Sequence, residues 1–168
     1  MANAISVPLQ GFRAGKALLN VDLRQENIYS DSFNIHHHNI FYRIFALAPE
    51  AHGLFRFTNG FEPNSEELFE SERLIEHGKG VIATLEAAID MLGPASDLNP
   101  LICFLQELGA NHQRYGVLNE HYDIVGKALI ETLSGAMGEL FTDDIKLAWG
   151  EIYGIIEANM MEGMEKAS

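Results

Sequence analysis

A single cysteine, Cys103, rules out an internal disulfide and any zinc or iron–sulfur centre built from cysteines; its expected place is the core. Cations are scarce. The 11 Lys and Arg against 24 Asp and Glu leave a formal net charge of −13, a field that repels phosphate backbones and anionic headgroups. Nucleic acid and membrane are therefore excluded as expected partners. No apolar run reaches the ~18 residues a membrane span needs, since Glu86 and Asp90 interrupt even the stretch from Val81 to Leu92. The start, Met1-Ala2-Asn3-Ala4-Ile5, has no basic region ahead of an apolar one and no glycine at position 2 for N-myristoylation, so the cytoplasm is the expected compartment. The alternation of a half-buried strand is missing as well, as are internal repeats and low-complexity tracts other than His36-His37-His38.

With 168 residues, of which 47% are apolar, the chain can bury one substantial core and is too short to suggest two. Residues 1–20, with Pro8, Gly11 and Gly15 and no clean period, read as an N-terminal extension expected to be partly disordered. Residues 21–168 read as one domain. Its pattern is helical throughout, so the fold class is all-α.

A weak helical pattern over Leu23 to Ser32 sharpens from about Asn34 to Leu47, where Ile40, Phe41, Ile44, Phe45 and Leu47 are spaced for one apolar face. Pro49 cannot continue that helix but can open a new turn. Residues 58–65 are dense in turn formers and read as a loop. A long helix is expected from about Ser71 to Leu92, with Leu74, Gly78, Val81, Leu85, Ala88 or Ile89, and Leu92 recurring at steps of three and four. Asn99 as N-cap and Pro100 at the first position open the next, with Leu101, Phe104, Leu105, Leu108 and His112 on one face and Gly116 as the stop. Two more follow: one from about Glu120 to Gly138, and one beginning at Thr142 with Asp143 and Asp144 at its positive end. Their inward residues are Tyr122, Val125, Leu129 and Leu133, then Ile145, Trp149, Ile152 or Tyr153, Ile156 and Met160.

Two histidines do not fit a plain core. His77 lies between Leu74 and Val81 on the apolar stripe of one helix, and His112 continues the apolar stripe of another. An imidazole in such a stripe needs a partner for its nitrogens. Two of them on facing stripes make a clamp for a planar iron cofactor, a haem, with Phe41, Phe55, Phe57, Val81, Leu108, Val117, Tyr122, Val125 and Tyr153 available for an apolar slot. The rival reading of the spacing alone is an ordinary helical core with two satisfied histidines. The triplet His36-His37-His38 points in three directions on a helix and cannot converge on one metal.

Longer segments carry a resemblance. Phe41-Tyr42-Arg43-Ile44-Phe45-Ala46-Leu47-Ala48-Pro49-Glu50 with Leu54-Phe55-Arg56-Phe57 resembles the second helix and following corner of globins. His77-Gly78-Lys79-Gly80-Val81 is similar to the globin distal-histidine segment, and Leu108-Gly109-Ala110-Asn111-His112 with Gly116-Val117 to the proximal one. Ala148-Trp149-Gly150-Glu151-Ile152-Tyr153-Gly154 resembles the final helix. The order and separations match from about Phe41 onward, and the nearest subgroup is neuroglobin-like.

By this resemblance the fold is the globin helical sandwich, the cofactor is haem b, His112 is the proximal iron ligand and His77 the distal residue. Phe55 stacks on the haem, Phe41 and Val81 crowd the gas site, and Leu108, Val117, Tyr122, Val125 and Tyr153 line the rest. The implied ligands are oxygen, carbon monoxide and nitric oxide, and the implied resting state has both histidines on iron. A redox enzyme (nitric oxide dioxygenase, nitrite reductase or peroxidase-like, served by a separate reductase), a gas or redox sensor, and a haem-free helical interaction module are the alternatives. The chain departs from the globin pattern at its weak first helix, at His37 on the second helix and at Gly80, where relatives often carry a polar residue for a haem propionate; Lys79 or Arg56 are the expected substitutes.

Overall fold

Proline at position 49 ends the first helix of the computed structural model, which describes residues 32–62, 65–91 and 97–168. The expected N-terminal extension, the weak helix over 23–31 and the course of residues 92–96 lie outside the described residues, as do the side chains of the histidine triplet. Helix α1 (Ser32–Leu47) buries Ile40, Phe41, Ile44 and Phe45, the pairs one turn apart that a single apolar face requires. Leu47, expected on that face, is exposed; it lies two residues past Phe45, about 200° around the helix, and so points outward. Pro49 begins a 3-10 helix (Pro49–Leu54), and a second follows (Arg56–Thr58) with Phe55 extended between them.

Within the turn-rich stretch Thr58 closes the second 3-10 helix, residues 59–61 form turn and bend, and residues 63 and 64 lie outside the described residues. Gly60 takes a φ of 96°, which favours glycine, and Ser65 caps the short helix α2 (Glu66–Phe69) by accepting the Leu68 N–H. Helix α3 (Glu72–Met91) then buries Leu74, Gly78, Leu85, Ala88 and Ile89, leaving His77 and Val81 partly buried on the same stripe.

Helix α4 (Asn99–Arg114) departs from expectation at its start and on its outer face. Asn99 is inside the helix rather than its cap, and its N–H donates to the Asp97 carboxylate at 3.0 Å, so a negative side chain two residues earlier meets the positive end. Leu101, Leu105 and Gly109 are buried, whereas Phe104 and Cys103 are exposed. The core stripe of α4 follows the 101, 105, 109 row, which places 103 and 104 on the solvent side; the expected core role of Cys103 is thereby corrected. Gly116, with φ 86°, ends this segment.

Helix α5 (Asn119–Met137) buries Tyr122, Ala128, Leu129 and Thr132. Gly138 ends it and opens a 3-10 turn (Gly138–Leu140). Thr142 then caps α6 (Asp143–Ala167) through the Ile145 N–H, with both aspartates in the first turn. Its buried residues include Trp149, Ile152, Ile156 and Met160.

Among the described residues α4 and α6 form the most extensive helix pair, α1 packs on α5, and α3 packs on α1 with shorter contacts to α6. Helices α3 and α4 are not a close-packed pair. Each is fastened to other helices, α3 to α1 and α4 to α6.

Candidate functional site

Helix α4 presents His112 with its ring already oriented. The Nδ1 atom lies 2.8 Å from the Leu108 carbonyl oxygen one turn earlier. A carbonyl only accepts, so Nδ1 carries the proton, and in the neutral ring the lone pair belongs to Nε2. Fixing one nitrogen in this way holds a ligand imidazole in a single tautomer and plane.

Helix α3 presents His77. Burial holds the pKa of His77 below the usual histidine value, and the positive charge that His112 can carry lowers it further. The second effect places the two groups within electrostatic reach of each other. Both causes favour the neutral imidazole, the form that offers a lone pair.

Three rings wall His77 in. Phe55, Phe41 and Phe57 have centroids 5.3, 5.5 and 5.8 Å from the imidazole, and Phe41 meets Phe55 edge to face at 89°. These are the three phenylalanines singled out from the sequence. Behind them stands Phe45, 1% exposed, whose ring meets Phe41 at 6.1 Å, Phe55 at 5.7 Å and His52 at 5.5 Å. Its position one turn after Phe41 was the available signal, but core spacing alone does not show that a residue supports a site.

The corner is also held by a residue that reads as a plain turn former. Thr58 is fully buried, and its hydroxyl lies 2.7 and 2.6 Å from the carbonyl oxygens of His52 and Phe55, which share its one proton. Those bonds tie the first 3-10 helix to the second and set the backbone from which Phe55 projects. Thr58→Val keeps the shape and removes the donor. We expect it to lower stability by about 1 kcal/mol, read as a fall in melting temperature; an unchanged value would show that the hydroxyl contributes nothing.

On the α5 and α6 side, Tyr122 is buried and its hydroxyl has no hydrogen-bond partner among the described residues. Burial, aided by Glu157, pushes it up to about 12. Tyr153 lies over Gly126, where a Cβ would collide with its ring, and its hydroxyl donates to the Tyr122 carbonyl at 2.6 Å. Burial first, then Glu157, raises Tyr153 further. It thus clamps α5 to α6, a role beyond the lining expected of it. Val81, Leu108, Val117 and Val125 are partly buried against the core. Lys79 is engaged by Glu76 at 2.7 Å, and Arg56 is exposed.

The donor set fits a haem: His112 has its tautomer fixed, and His77, favoured in its neutral form, is ringed by aromatic carbon, the two standing on helices that are not a close-packed pair. No group of three or more His, Cys, Asp or Glu suited to a bare metal ion occurs among the described residues.

Comparison with known proteins agrees. Residues 38–160 match the globin family. The chain is 32% identical over 127 residues to a neuroglobin of Tetraodon nigroviridis, covering 76% of this chain and 77% of the relative. It is 33% identical over 129 residues to an anaerobic nitrite reductase of Gossypium hirsutum, again covering 76% and 77%, and 31% identical to a neuroglobin of Danio rerio over the same shares. With several segments in globin order, an all-helical fold and a family match spanning most of its length, the chain belongs to the globin family.

Proposed function

We propose that this globin holds haem b through Nε2 of His112, with His77 as the residue on the opposite face, and binds oxygen, carbon monoxide or nitric oxide reversibly. The single observation carrying this reading is a His112 ring fixed by the Leu108 carbonyl within electrostatic reach of a His77 ring walled by three phenylalanines. When bound, the haem supplies an iron with one exchangeable position for a diatomic gas. The chain's part is to orient, exclude water and compete. His112 keeps a lone pair aimed by its Nδ1–H bond, and Phe41, Phe55 and Phe57 keep water from the distal side while limiting where His77 can go.

His77 has two positions in this proposal. With haem bound, a ring nitrogen of His77 would hold the iron at rest, and on withdrawing His77 would donate an N–H to the gas. The apparent gas affinity is then the intrinsic affinity reduced by the fraction of molecules in which His77 has withdrawn. The aromatic wall favours the neutral ring that both positions need.

The test is an absorption spectrum of the ferrous protein beside His77→Leu. The parent should show the six-coordinate low-spin pattern and the variant a five-coordinate one. An identical six-coordinate spectrum in the variant would remove His77 as a ligand.

A second reading has support in the relative named as an anaerobic nitrite reductase. In that reading the same pocket turns over nitrite, nitric oxide or peroxide with electrons from a separate reductase in the cytoplasm. Repeated turnover with a reductase present favours it, and a halt after one equivalent favours the carrier.

A further inference from the structure

Two glycines bring α4 and α6 closer than side chains permit. A Cβ added to Gly109 would run into the backbone of Met160, and one added to Gly163 into the backbone of Gln106. Moving from Gln106 to Gly109 along α4 corresponds to moving from Gly163 back to Met160 along α6. The helices are therefore antiparallel here, and nearly a full turn of each lies main chain against main chain. At the edge of this seam the Lys166 ammonium donates to the Gln106 side-chain oxygen at 3.0 Å.

His112 is attached to that seam. It follows Gly109 by three residues on the same helix, and its ring bonds back to Leu108, the residue before Gly109. Nothing flexible intervenes between the glycine contact and the imidazole. His77, by contrast, is held by side-chain packing on Phe41, Phe55 and Phe57.

We infer that Gly109, with Gly163 opposite, is a positioning residue for His112: the backbone seam sets how far the imidazole stands out from α6. This rests on the reading of His112 as the iron ligand. A methyl group at position 109 forces the α4 main chain off Met160 and carries Leu108, its carbonyl and His112 as one unit. A methyl at 163 acts on the same helix six residues before His112, so its effect at the ligand is smaller.

The test uses the full chain loaded with haem in a His77→Leu background, where the ferrous iron–histidine stretching band is readable by resonance Raman spectroscopy. Gly109→Ala should shift that band and speed haem loss by about tenfold, at the low end of what disturbing a ligand's support brings. Gly163→Ala should shift it less. Leu68→Ala, a buried truncation in α2, should lower the melting temperature and leave the band in place. Lower melting temperatures with an unmoved band in both glycine variants would overturn the inference, because the glycines would then be structural only. Should Gly109→Ala fail to fold, the band in Gly163→Ala decides alone. A His77→Leu parent that takes up no haem overturns the ligand reading itself, whereas a parent that holds haem, with the band unmoved in the glycine variants made on it, overturns only the positioning role.

Discussion

Haem retention should collapse in His112→Leu while the helices stay folded. Leucine suits a partly buried helical position and keeps apolar contact with the core, so the interactions lost are the Nδ1–H bond to the Leu108 carbonyl and, on the proposed assignment, the bond to iron. Loss of a partner outside the ligand sphere weakens a metal site by roughly 10–100-fold; loss of the ligand itself should exceed that. Haem transfer to an excess of an acceptor protein gives the rate directly, and circular dichroism verifies that the fold survives. His77→Leu should not share this effect, because the fixed imidazole remains. Equal haem retention in the parent and in His112→Leu would mean that the iron is held from elsewhere.

The largest loss of stability should come from Phe45→Ala. Phe45 is 1% exposed and touches Phe41, Phe55 and His52. Its removal deletes buried apolar area and leaves a hole that surrounding rings fill only in part, about 3–5 kcal/mol for such a truncation. For a chain of this size that corresponds to a fall in melting temperature of roughly 6–20 °C. The consequence reaches the site: Phe55 loses the edge-to-face neighbour that holds it against His77, so the fraction of His77 away from iron should rise and gas binding should quicken. A loss below about 1 kcal/mol would show that the rings repack without Phe45.

Most of what positions the site could be read in the sequence, because a helix repeats its burial every three to four residues. The rows through Leu74, Gly78, Leu85 and Ala88 and through Leu101, Leu105 and His112 are locally periodic, and the two histidines stand out against them. The row through Leu101 and Leu105 also shows why Phe104 and Cys103 misled: an apolar residue beside a stripe looks like part of it, and only the direction in which α6 approaches α4 decides. Leu47 erred in the same way at the end of α1. The helix start at Asn99 failed differently. Asn99 and Asp97 are both good cap residues, and the choice between them depends on where the preceding chain arrives.

Other features leave no local trace. Thr58 sits among turn formers, and its burial comes from the way the corner closes over it. Gly109 and Gly163 are separated by the last turn and a half of α4, all of α5 and most of α6. Neither has a periodicity that identifies the other, and only the crossing of the helices shows why each lacks a side chain. Tyr153 reads as one inward residue among several until its hydroxyl is found on the Tyr122 carbonyl.

The claim on which everything rests is that His112 and His77 hold one haem iron from opposite sides. Electron paramagnetic resonance of the ferric, haem-loaded wild type at low temperature tests it most directly. The account predicts a low-spin spectrum with the g-values of two imidazole ligands, replaced by a high-spin signal in His77→Leu. A wild-type spectrum that is high-spin, or low-spin and unaltered by His77→Leu, would contradict it.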